Sequence, residues 1–132
     1  MTVDKKITDT VRKINDLLTS QLWMDFEYSD FDGYELTITG SIDLTYKRSF
    51  IVITFRDINF TCINDSWHTD TSRDVLLIPD ENEREQLSRQ HSIYDDYILF
   101  KFLAEDQPGG IYIAAKEIEF KTDGRAVKAP KA

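Results

Sequence analysis

The sequence predicts an α+β domain: an N-terminal amphipathic helix packed on a curved, half-barrel-like antiparallel sheet of about six or seven strands. Three observations carry that expectation. Residues 4–21 repeat apolar positions at helical spacing, and from Trp23 onward the period changes to two. Two similar strand segments, 51–60 and 111–120, shift their apolar parity at the same internal step.

In the helical segment Ile7, Val11, Ile14, Leu17 and Leu18 form one stripe, with Lys5, Lys6, Asp9, Arg12, Lys13 and Asp16 between them. A stripe of that width is built to cover something else.

"LWMDFEY" then sets Leu22, Met24, Phe26 and Tyr28 against Trp23, Asp25 and Glu27, the alternation of a half-buried strand. "SDFDG" reads as a turn with Gly33 free to take positive φ. "YELTITG" and "SIDLTY" alternate again through Leu36, Ile38, Ile42, Leu44 and Tyr46, broken at Gly40-Ser41 by a bulge or tight turn, and "KRS" is the next turn. "FIVITFRDINFTCI" is the strongest strand segment, rich in β-branched and aromatic residues. "NDSWHTDTSRD" reads as a polar, turn-rich connection and "VLLIP" as a short apolar run. "DENEREQLSRQHS" is a charged loop or a short helix anchored by Leu87, with Asp80 and Glu83 at capping-box spacing. "YILFKFLA" and "IYIAAKEIEFKT" complete the sheet, joined by a hairpin at "EDQPGG". Residues 1–123 are expected to form one domain, and 124–132 a flexible basic tail.

The parity shift places Ile51, Ile53 and Phe55 at odd positions and Ile58, Phe60 and Cys62 at even ones. One inserted residue near Arg56-Asp57, a β-bulge, returns both sets to one buried face; a turn there is the competing reading. "IVITFRDINF" aligns without gaps on "IYIAAKEIEF", and the basic-then-acidic step recurs as Lys116-Glu117. The expectation is a pair of bulges bending one sheet, one in each of its halves.

At 132 residues, 41% apolar and 30% charged, the chain fits one globular domain. The longest apolar run, "VLLI", is too short for a bilayer span, and "MTVDKKITDT" has no apolar signal core, so a soluble cytoplasmic protein is expected. A net charge of −8 disfavours nucleic acid and membrane surfaces, because phosphates are gripped through lysine and arginine. Between Lys13 and Lys47 no cation occurs, while Asp16, Asp25, Glu27, Asp30, Asp32, Glu35 and Asp43 all fall in the gap.

"CINDSWHTD" holds the single cysteine near a histidine and two aspartates, the ingredients of thiolate chemistry. Parity nonetheless sets Cys62 with Ile58 and Phe60 on a buried face, away from the loop that carries His68, and an apolar setting works against the thiolate. Two histidines and one cysteine have no zinc spacing, and the aspartates of "SDFDG" lack the later ligands of a calcium loop. Turn aspartates capping their own backbone account for them. Glycine-rich phosphate loops, nucleophile elbows and dinucleotide fingerprints are absent, so no catalytic residue, cofactor or metal is expected.

The remaining signal is a surface. Trp23, Tyr28, Phe31 and Tyr34 lie among carboxylates, and rings supply contact area while acids steer a cationic partner. The sequence thus points to a non-enzymatic acidic protein-binding module, of inhibitor or immunity type, that neutralises a basic partner such as a toxin or nuclease. Its expected contact residues are Asp25, Glu27, Asp30, Phe31, Asp32, Trp67, His68 and Asp70. The alternative is a small-ligand-binding or enzymatic half-barrel that uses the region of Cys62 and His68, and self-association is left open.

Overall fold

A computed structural model describes residues 4–42, 50–105 and 107–122. The strand continuation through Leu44 and Tyr46, the turn at 47–49 and the tail at 124–132 lie outside the described residues. The elements are α1 (Lys5–Leu18), β1 (Trp23–Phe31), β2 (Glu35–Ser41), β3 (Ile51–Cys62), β4 (Ser66–Asp70), β5 (Leu76–Leu77), α2 (Glu81–Gln90), β6 (Ile98–Ala104) and β7 (Gln107–Thr122). Seven strands make one antiparallel sheet in the order β4-β1-β2-β3-β7-β6-β5. The α+β class, the N-terminal helix and the curled half-barrel agree with the sequence reading.

Asp4 caps α1 by accepting the Lys6 N–H at 2.8 Å. The expected stripe is the buried one: Val11, Ile14 and Leu18 are in the core, with Ile7 and Leu17 packed beside it.

The sheet curls far enough for distant strands to meet inside it. Phe26 of β1 lies 5.3 Å, ring to ring, from Phe102 of β6, although three strands separate β1 from β6 in the sheet. Phe102 also meets Trp67 of β4 at 5.5 Å and Phe55 of β3 at 6.3 Å, so one aromatic cluster ties the edges to the middle. Burying each of these rings contributes about 2–3 kcal/mol, which favours the curl over a flat sheet. At one end the edges are stitched together: the Glu105 N–H donates to the His68 carbonyl at 3.1 Å, and Thr69 Oγ1 donates to the Leu103 carbonyl at 2.9 Å. Gly40 permits the tight wall on the β2 side, because a Cβ there would stand 2.9 Å from Ile51 Cγ2 and 3.0 Å from Phe26 Cε1. It lies within β2, paired to Phe26 and Ile51.

The two similar segments are neighbours, not parts of separate halves. β3 pairs with β7, and the two charge steps face each other: Arg56 is in register with Glu117, while Lys116 Nζ lies 3.9 Å from the Asp57 carboxylate. The apolar parity changes at this point on both strands, but without a bulge there. Register holds through Arg56, Asp57 takes a left-handed φ of 61°, and the shift comes later, between Ile58 and Phe60. That later shift corrects a second expectation. Ile58 packs on the main core, whereas Phe60 joins a cluster on the opposite face and Cys62 ends β3 exposed.

Three further segments differ from the sequence reading in detail. Within the polar connection lies β4, an edge strand. The charged segment 81–90 is helical; Asp80 accepts the Glu83 N–H at 2.8 Å, but Glu83 turns away from the cap to meet Lys101 and Tyr112. The hairpin at "EDQPGG" turns ahead of the proline and glycines: Ala104 pairs with Gln107, and the register shift between Phe102 and Ala104 takes up the extra residues, with Gly110 at φ 86°.

Candidate interaction face

α2 divides the outer surface of the sheet. Leu87 packs with Ile93, Leu99, Tyr112, Ala114 and Phe60, so α2 covers the outer side of β6, β7 and the end of β3. Over β4, β1 and β2 the outer side has no such cover among the described residues.

Strand periodicity decides what stands there. On β1 the even residues Met24 and Phe26 point into the core, leaving Trp23, Asp25 and Glu27 outside. β4 pairs Trp23 with Asp70, Asp25 with His68 and Glu27 with Ser66, so the outward residues of both strands form one ladder. His68 Nδ1 lies 2.7 Å from Asp25 Oδ1, and its ring sits 5.4 Å from the Trp23 indole. A carboxylate acceptor fixes the tautomer with hydrogen on Nδ1. Trp23 keeps 37% of its surface exposed, and Leu22 beside it 79%.

At the far end, the β1–β2 turn presents Asp30, Phe31, Asp32 and Tyr34. Asp32 accepts the N–H groups of Glu35 at 2.8 Å and Tyr34 at 2.9 Å, which hold its carboxyl below the usual range. It is a turn aspartate capping its own backbone, as the sequence indicated. Asp70 is similar: the Ser72 hydroxyl, at 2.6 Å, and the Ser72 N–H, at 2.9 Å, both donate to its Oδ1 and lower its pKa, with a smaller contribution from Arg73.

Of the eight residues singled out from the sequence, Asp25, Glu27, His68 and Asp70 share the outward ladder, and Asp30, paired with Thr37 after a register shift at Ser29, continues it. Phe31 pairs with core residue Leu36 and so falls on the inward side, exposed at the strand end, and Asp32 lies in the turn. Trp67 does not belong with them. It is 2% exposed, stacks on Phe26 at 5.6 Å, and its indole N–H meets no acceptor among the described residues. β4 simply alternates, sending Trp67 and Thr69 inward and Ser66, His68 and Asp70 outward. Trp23 and Tyr34, noted in the sequence among the carboxylate-flanked rings but not among those eight residues, are both exposed, as the parity of β1 already indicated for Trp23.

Cys62 and His68 are not brought together. Cys62 pairs with Tyr112 on β7, while His68 is engaged by Asp25 on β1. A cleft of about 510 Å³ lies elsewhere, between α1 and β7, lined by Lys6, Ile7, Lys13, Ile118 and Phe120 among others. No group of three or more histidine, cysteine, aspartate or glutamate residues among the described residues is arranged to hold a metal.

Fold and face together define an α+β half-barrel with one outer surface covered by a helix and the other left open and acidic. Comparison with protein families, curated proteins and solved structures finds no match to this chain.

Proposed function

We propose that the chain is a non-enzymatic binding module whose outer β4–β1–β2 face docks a basic protein, in the manner of an inhibitor that neutralises a cationic toxin or nuclease. One observation supports this most. Ion pairs of the described lysines and arginines engage Asp9, Asp16, Glu35, Asp57, Asp74, Glu83, Glu85, Asp96 and Glu119, and none reaches Asp25, Glu27, Asp30 or Asp32. Asp4, Asp65, Asp80, Asp95, Glu105 and Glu117 also lack such a pair among the described residues, but here four acids without one follow one another along β1 and its turn, beside the exposed rings of Trp23 and Tyr34. Like charges held together on an open face repel one another, a cost that a cationic partner removes on binding. Rings at both ends, Trp23 and Tyr34, supply contact area that the acids alone would lack.

Capture from a cell lysate by the immobilised chain, against the variant Asp25→Asn/Glu27→Gln/Asp30→Asn, tests the proposal. The wild type is expected to retain an identifiable protein of net positive charge that elutes below about 0.3 M salt, where surface charges are screened. Equal retention by the variant contradicts it.

A further inference from the structure

We infer that the anchor of this face is an arginine side chain of the partner, held on the Trp23 indole between the carboxylates of Asp25 and Asp70. The inference rests on the reading above that the face receives a basic protein. In the ladder Trp23 stands opposite Asp70, and Asp25 opposite His68, so the four outward side chains make a block two strands wide and two outward positions long. Cross-strand and diagonal neighbours on one face of a sheet lie within reach of a single long side chain.

Each member has part of its bonding capacity committed and part left over. Asp25 uses Oδ1 on His68, and Asp70 uses Oδ1 on Ser72; neither Oδ2 has a partner among the described residues. Arg73 makes no ion pair with Asp70 within 4.0 Å among them. His68 lies against the indole and, through Asp25, steadies the carboxylate beside it. What remains open is a partly exposed aromatic surface flanked by two acceptor oxygens.

That combination suits guanidinium better than ammonium. Arginine is planar, weakly hydrated and able to stack on an indole while its N–H groups reach two separate carboxylates. Lysine offers a compact, strongly hydrated charge that gains from the acids but little from the ring. The exposed Leu22 beside Trp23 extends the apolar border against which the arginine methylenes would lie.

Calorimetric titration of the full chain with nona-arginine and with nona-lysine at about 0.05 M salt tests this. The expected result is binding of both, with nona-arginine tighter by about tenfold, the scale of one stacked, bidentate contact. In Trp23→Ala the preference is expected to fall to about twofold, with nona-lysine affinity nearly unchanged. Equal affinity for the two peptides on the wild type overturns the arginine anchor and leaves the basic-partner reading standing. Binding of neither overturns both. The wild-type comparison decides the matter even where Trp23→Ala fails to fold.

Discussion

The side-chain amide of Asn15 on α1 takes the place of a missing strand beside Leu76 on β5. Its Oδ1 accepts the N–H groups of Val75 and Leu76 at 3.0 Å each, and its Nδ2 donates to the Leu76 carbonyl at 2.8 Å. β5 is the last strand of the sheet, and Asn15 is 3% exposed, so these backbone groups are closed to water and to another chain. Asn15→Leu, which keeps the branched heavy-atom shape and removes the bonds, is expected to cost about 2–4 kcal/mol, because buried backbone groups are left unpaired. Urea denaturation measures this; a loss within error would show that α1 is held by its apolar stripe alone.

Asp57 has a left-handed backbone, φ 61°, at the point where β3 and β7 change their inward parity together. Its N–H donates to the Tyr34 carbonyl at 2.8 Å, and its carboxylate accepts the Tyr97 hydroxyl at 3.0 Å. Asparagine tolerates this conformation and keeps an acceptor, whereas a β-branched residue does not. Asp57→Asn is expected within about 0.5 kcal/mol of wild type and Asp57→Val at least about 2 kcal/mol below it. Similar midpoints for the two variants would remove the backbone from the explanation.

Several carboxyls are held low in the folded state, and this sets the acid stability. Burial pushes the Glu83 carboxyl up, but hydrogen bonds from Lys101, at 2.8 Å, and Tyr112 outweigh it. Arg12 lowers Asp74, and Arg56 lowers Glu119. As pH falls, the unfolded chain takes up protons first, near ordinary carboxyl values of about 4. Stability from these groups is therefore complete above about pH 5 and is lost progressively below it. Glu83→Gln is expected to lower Tm at pH 7 and to flatten the loss between about pH 5 and 3; an acid limb of unchanged slope would contradict the assignment.

Cys62 is exposed at the end of β3, so a thiol reagent is expected to label it fully in the native protein, with no further labelling on denaturation. Labelling that requires denaturant would return Cys62 to the buried face and remove the register shift between Ile58 and Phe60.

Elements with one uninterrupted period were legible in the sequence. α1, β6 and the Trp23–Tyr28 part of β1 bury the residues their spacing predicts, because each keeps one geometry over that stretch; Leu22, set inward by the same alternation, precedes β1 and is 79% exposed. Cys62 and Phe60 were misplaced because a one-residue shift at Asn59 turns every later side chain over, and nothing in the composition marks it. β4 was read as a connection because three of its five residues are polar and point outward, although the alternation of Trp67 and Thr69 was present. α2 has one apolar anchor; buried Arg84, donating to the Tyr94 carbonyl at 2.8 Å, contributes a contact that no hydrophobic pattern displays. The acid-only run supplies the β1 side of the outward ladder, but the pairing of Asp25 with His68 spans 43 positions and arises only from strand order.

The central claim is that the open outer face of β4, β1 and β2 receives a basic partner. An amide-resolved NMR titration with nona-arginine tests it most directly, because α2 offers Glu81, Glu83 and Glu85 as a competing acidic surface. The account predicts shifts concentrated at Trp23–Phe31, the following turn and Ser66–Asp70, suppressed by added salt. Shifts centred on α2, or spread evenly over the molecule, would contradict it.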